Sequence, residues 1–106
     1  MSVVIRTTPQ ADAQAQRADA WWRTNRPAAA DLFTEELAGA FDLLGRAPDI
    51  GCRYRRAGVP GLRRILLPAT RYHVYYVHLR DQQTCSVLAI WGAVRGRVPR
   101  IRSSES

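Results

Sequence analysis

Leu62-Arg-Arg-Ile-Leu-Leu67, Arg71-Tyr-His-Val-Tyr-Tyr-Val-His-Leu79 and Thr84-Cys-Ser-Val-Leu-Ala-Ile-Trp91 follow one another with little between them. The second and third runs are rich in β-branched and aromatic residues, which suit a pleated, half-buried surface, and the first is aliphatic around Arg63 and Arg64. Pro68-Ala-Thr70 closes the first run, and Arg80-Asp-Gln-Gln83 makes a turn between the second and third. Connections this short make successive strands antiparallel neighbours.

Upstream, the pattern changes from strand to helix. From Asp49 to Gly61 the chain carries three glycines, one proline and Arg53, Arg55 and Arg56, the composition of a loop with at most one short extended piece. Before it, Phe33, Leu37, Ala40, Phe41 and Leu44 form one apolar stripe, widened by Ala29 and Leu32, which predicts a helix over residues 27–44. Gly45 and Pro48 are its expected stop. A first helix is predicted from Pro9 to about Asn25, with Thr8 as N-cap, Pro9 at the first helical position and Asp12 near the positive end of the helix dipole. Ala11, Ala15, Ala18 and Trp22 recur at helical spacing, so Trp22 should be buried and Trp21 half exposed. Asn25-Arg-Pro27 joins the helices tightly enough to require an antiparallel hairpin. Val3-Val-Ile-Arg-Thr7 reads as a short strand that joins the sheet at an edge or beside the last strand. The order β-α-α-β-β-β gives an α+β domain over residues 1–102, a helical hairpin on one face of a mainly antiparallel sheet. Residues 103–106 are expected to form a disordered tail.

Charge is divided between the halves. Residues 1–50 hold five arginines against seven acidic residues, a net of −2; residues 51–106 hold eleven against two, a net of +9. All 16 basic residues are arginine. The second half therefore suits an anionic partner, nucleic acid or acidic protein, against the plainer reading of a merely soluble surface. No apolar run approaches a membrane span of roughly 18 residues. Met1-Ser-Val-Val-Ile-Arg6 is too short and too polar for a signal peptide, so the cytoplasm is the expected compartment, without membrane association. Cys52 and Cys85 read as free, partly buried thiols, and neither His73 nor His78 makes a ligand pair with them, so no metal and no cofactor is expected.

Four local words, Pro48-Asp-Ile-Gly51, Gly61-Leu-Arg-Arg-Ile-Leu-Leu67, Arg71-Tyr-His-Val-Tyr-Tyr-Val77 and Leu88-Ala-Ile-Trp91 followed by Gly92 and Arg95, resemble the RelE/ParE toxins of type II toxin–antitoxin systems over residues 3 to about 100. The resemblance implies one of two actions. RelE-like members cleave messenger RNA in the ribosomal A site; ParE-like members inhibit DNA gyrase, block replication and are associated with plasmid stabilisation. Both imply a cognate antitoxin, ParD-like or RelB-like, with operator DNA reached only through that antitoxin.

Metal-free RNA cleavage needs a base, an acid and a cation for the pentavalent phosphate, and arginine supplies only the last. The resemblance places Arg63 and Arg64 on the first strand of the trio, Tyr72 where a RelE-like enzyme carries an arginine, and Arg95 and Arg97 near the arginine of the last strand. The C-terminal tyrosine of RelE-like sites has no counterpart, and His73 and His78 point to opposite faces of a regular strand. The ParE-like branch is therefore favoured. Its expected target contacts are Arg63, Arg64, Tyr72, Arg95, Arg97 and Arg100, although adjacent Arg63 and Arg64 should face opposite ways. Trp91, Tyr76 and Arg71 are the expected antitoxin contacts, on an arginine-flanked sheet face that the helices leave open. A nucleic-acid-binding module without toxicity is the reading of a different class.

Overall fold

In the computed structural model, which describes residues 2–56, 58–93 and 101, the chain runs β1 (Val4–Thr7), α1 (Pro9–Asn25), a 3₁₀ turn (Pro27–Ala29), α2 (Leu32–Arg46), β2 (Cys52–Arg53), β3 (Leu62–Leu67), β4 (Tyr72–Leu79), a 3₁₀ turn (Arg80–Gln82) and β5 (Thr84–Gly92). The five strands form one sheet in the order β1-β5-β4-β3-β2. β1 lies parallel to β5 at the edge, and every other pairing is antiparallel. The α+β architecture and the place of the first strand are as expected. No helix among the described residues is long and apolar enough to cross a membrane.

Local chemistry accounts for the elements. Thr8 caps α1 by accepting from Ala11 N–H at 3.2 Å, with Pro9 behind it. α2 starts later than the proline predicts. Pro27–Ala29 forms a single 3₁₀ turn that reverses the chain, and Asp31, in place to cap α2, instead gives its carboxylate to Arg23 of α1 at 2.9 Å. Gly45 does not stop α2, which continues to Arg46. The glycine is buried where β1 passes: Val3 N–H donates to Gly45 O at 2.9 Å, and a Cβ there would meet Val3 O at 3.5 Å. That distance is ordinary contact, so neither helix termination nor close packing requires the glycine.

The core between helices and sheet holds Phe33, Ala40 and Leu44 of α2, Ala11 and Ala18 of α1, and Leu67, Val74, Tyr76, Cys85, Val87 and Ile90 of the sheet. Burying Phe33 alone contributes roughly 2–3 kcal/mol. Trp22 is only partly buried, less than its place in the alanine stripe predicts. Glu36 of α2 clamps the β3–β4 turn, accepting from Ala69 N–H at 2.7 Å, Thr70 N–H at 3.0 Å and the Thr70 hydroxyl at 2.6 Å. Burial raises the Glu36 pKa, and the three hydrogen bonds together outweigh it, leaving the carboxyl below its ordinary value.

The second face of the sheet is not bare. Val59, Leu62, Tyr75, Leu88 and Ala89 form a small cluster there, with Tyr54, Trp91 and Ile101 packed against it. A bulge in the β4–β5 ladder, at Tyr75/Tyr76, lets Leu88 and Ala89 both face this cluster before Ile90 returns to the helix side. The arginine-flanked face expected to stay open is thus covered at its centre by the chain's own segment leading into β3.

Candidate functional site

Three clusters of polar and aromatic side chains emerge from this frame. The first lies on the second face. Alternation along β3 sends Arg64 to that face and Arg63 to the other. The Arg64 guanidinium lies 4.4 Å from the centroid of Tyr54 and 5.9 Å from that of Tyr75, and donates to the Tyr75 hydroxyl at 3.3 Å. The two phenol rings meet edge to face at 5.4 Å, and His73 approaches Tyr75 at 5.9 Å. Burial, then the charges of Arg64 and Arg71, lower the His73 pKa, so the imidazole is neutral at pH 7. Beside this stack a hollow of about 480 Å³ is lined by Arg53, Arg55, Arg56 and Pro60. Among the described residues no carboxylate pairs with those three arginines.

The second cluster fastens the 47–51 loop to the sheet. Asp49 meets His78 Nδ1 at 2.9 Å and accepts from Arg80 at 2.8 Å, while Arg63 donates to Asp49 O at 3.0 Å and Gly51 O at 2.7 Å. The His78 bond is the largest influence on the Asp49 carboxyl, and with Arg80 it holds the pKa below its ordinary value despite some desolvation. Tyr76, fully buried, accepts from Gly51 N–H at 2.9 Å through its hydroxyl. Burial pushes the Cys85 thiol up to about 11, which leaves it an unreactive core residue; Cys52 is free and exposed.

The third cluster is a groove of about 800 Å³ where α1 crosses the end of β5. It is lined by Trp21, Trp22, Tyr72 and Trp91, and by Arg17, Arg26 and Arg71. Trp21 is 47 % exposed, and Arg26 stacks over it at 5.6 Å. The Trp22 indole N–H is buried without an acceptor among the described residues. Arg71 sits at φ 66°, a left-handed conformation that glycine adopts at less cost.

The residues expected to act together are thus dispersed. Arg64 is on the second face. Arg63 is tied to the 47–51 loop. Tyr72 turns to the helix side, edge to face with Phe33 at 5.0 Å. Tyr72 also lines the groove, together with Arg71 and Trp91. Tyr76 is a core residue, which corrects its expected place on the antitoxin-facing surface: its fully buried ring offers nothing to a partner. Arg95, Arg97 and Arg100 lie outside the described residues. The expectation that His73 and His78 take opposite faces holds, with His73 against Tyr75 and His78 against Asp49. The sequence pattern marked Tyr54 and Asp49 only as loop residues and Trp21 only as half exposed, and it gave no sign of Arg17. Only the three-arginine run around Tyr54 carried a signal that could have pointed there.

A family model described as ParE toxin of type II toxin–antitoxin system, parDE, matches residues 5–95. No curated protein matches the chain in sequence. Among solved structures, the ParDE toxin–antitoxin system of P. aeruginosa superimposes with a TM-score of 0.67 at 16% identity, covering 86% of this chain and 96% of that one. The toxin–antitoxin complex RelBE2 of Mycobacterium tuberculosis gives 0.63 at 18%, with 87% and 99% covered. The isolated E. coli RelE toxin gives 0.60 at 16%, with 90% and 88% covered. At such identities the likeness to the solved structures is one of fold.

Proposed function

Because the chain belongs to the ParE toxin family of type II toxin–antitoxin systems, we propose that it acts as a non-catalytic inhibitor of DNA gyrase, held inactive by a ParD-like antitoxin through which it reaches operator DNA. The observation that carries this reading is the separation of the two histidines. His73 and His78 occupy opposite faces and different clusters, so no paired acid and base lies beside the arginines. The Arg64–Tyr54–Tyr75 stack, with exposed Arg53 and Arg55 next to it, is a fixed cationic surface suited to gripping a target. Arg95, Arg97 and Arg100 are proposed to extend the contact. Purified gyrase supercoiling relaxed plasmid in the presence of increasing toxin tests the proposal: supercoiling is expected to stop, and normal supercoiling at large excess of toxin rejects it.

One observation favours a RelE-like ribonuclease instead. His73, neutral at pH 7, sits near the Arg64–Tyr75 pair, so a base and a phosphate-stabilising cation do share a face. His73→Gln separates the two readings. A gyrase inhibitor keeps its toxicity in this variant, whereas a ribosome-dependent nuclease loses message cleavage.

A further inference from the structure

We propose that the groove between α1 and the end of β5 is a small-molecule site for an aromatic anion, a flat ring system carrying a carboxylate or a phosphate. This site stands apart from the toxin reading above. At about 800 Å³ the groove has the size of the clefts that take small ligands. Rings line it from two sides. Trp21 and Trp22 come from α1, and Tyr72 and Trp91 from the paired ends of β4 and β5. A flat ligand ring packs offset or edge-on against such surfaces.

Charge selects the rest of the ligand. Arg17, Arg26 and Arg71 line the groove, and no carboxylate does among the described residues. The acids of the neighbouring elements are engaged elsewhere. Asp19 and Asp31 pair with Arg23 at 3.1 and 2.9 Å, and Glu36 accepts from the Ala69 and Thr70 N–H groups and the Thr70 hydroxyl. Among the described residues none of the three groove arginines has a carboxylate partner. Guanidinium groups so placed favour a planar carboxylate or a phosphate, which they can grip with two parallel hydrogen bonds. Arg26 also lies 5.6 Å from the Trp21 ring centroid, which sets cation and aromatic surface side by side.

The main-chain donors of the lining favour a small ligand over a peptide strand. The Ala69 and Thr70 N–H groups bond Glu36, Arg71 N–H bonds Leu67 O at 2.8 Å, and Ile90 N–H bonds Gln14 at 2.7 Å. A peptide that adds to a sheet edge needs such groups free. The Glu36 bonds also fix the Ala69–Thr70 floor before any ligand arrives, so little ordering cost is left for binding. The Trp22 indole N–H is buried without an acceptor among the described residues. Rotation of the ring offers it to a ligand oxygen and removes an unsatisfied donor.

Titration calorimetry with the full chain tests the site. The ligands are indole-3-acetate for the carboxylate, adenosine 5′-monophosphate for the phosphate, and their uncharged counterparts, indole-3-acetamide and adenosine. At least one acid is expected to bind a single site with a dissociation constant below about 1 mM, and its uncharged counterpart to bind about tenfold more weakly or worse. The tighter acid identifies the anionic group that the groove takes. Arg17→Gln/Arg26→Gln and Trp21→Ala are each expected to weaken that acid by about tenfold, and Arg6→Gln, on the edge strand outside the groove, by less than about twofold. All four positions are exposed, and thermal unfolding checks that each variant remains folded. Failure of both acids to bind below about 1 mM overturns the site. So does equal affinity for an acid and its uncharged counterpart, or wild-type affinity in both groove variants. None of these outcomes bears on gyrase inhibition, which the supercoiling assay reads separately.

Discussion

A methyl group has no room at Gly51. A Cβ built there falls 2.6 Å from the Tyr76 hydroxyl, 2.8 Å from its ring and 3.0 Å from Arg64 O. The glycine lets the 47–51 loop close on the sheet so that its own N–H reaches the Tyr76 hydroxyl. Gly51→Ala is expected to cost about 2 kcal/mol in denaturant unfolding, as overpacking of a filled site does. Tyr76→Phe leaves the same N–H buried without an acceptor and should cost roughly 1–3 kcal/mol. Protonation acts at the same scale. Asp49 and Glu36 bind protons less readily in the folded chain than at their ordinary values of 3.8 and 4.5. Their stabilisation is therefore complete above those values and is lost as pH falls through the lower folded ones. The melting temperature should fall as pH drops below about 4.5, and Asp49→Asn should flatten part of that fall.

Elements meet at places where a single side chain replaces a missing strand. β1 pairs with β5 only as far as Thr7 opposite Val87, after which Thr8 N–H bonds Val87 O and the chain turns into α1. The rest of β5 would present unpaired backbone. Gln14, buried on α1, accepts from Ile90 N–H at 2.7 Å and takes the place of that strand. Gln14→Met keeps the bulk and removes the acceptor, so it should cost about 2 kcal/mol. Amide exchange at Ile90 should accelerate more than at the β3–β4 ladder. The glutamine sits in the alanine stripe that periodicity marked as core, and its polarity there is the only sequence sign that α1 faces backbone as well as side chains.

At the scale of the whole molecule, charge is laid out by the topology. The acids cluster in the first 50 residues, where Asp19 and Asp31 hold Arg23 and Asp49 holds Arg80 and His78. Arg53, Arg55 and Arg56 of the second half line the β2–β3 hollow, beside Arg64. If this surface grips the target, Arg64→Glu should raise the toxin concentration that half-inhibits gyrase by about tenfold, with the circular dichroism spectrum unchanged. The wild-type inhibition should weaken as salt increases.

The order of elements, the helical hairpin, the antiparallel trio of strands and the family resemblance were all legible in the chain, because they rest on local patterns: a 3.6-residue stripe, a Thr-Pro cap, short turns between β-branched runs. Which arginine faces which partner was not. Adjacent Arg63 and Arg64 have the same chemistry, and only strand register sends one to Asp49 O and the other to Tyr54. The bulge was equally hidden, since Val87 to Ile90 are all apolar and show no alternation. Tyr76 could not be told from a surface tyrosine until its hydroxyl was seen to meet Gly51, 25 residues away. Local sequence determines which segments bury an apolar face; contacts across 25 to 80 residues decide which polar side chains are consumed in holding those segments together and which remain for a partner.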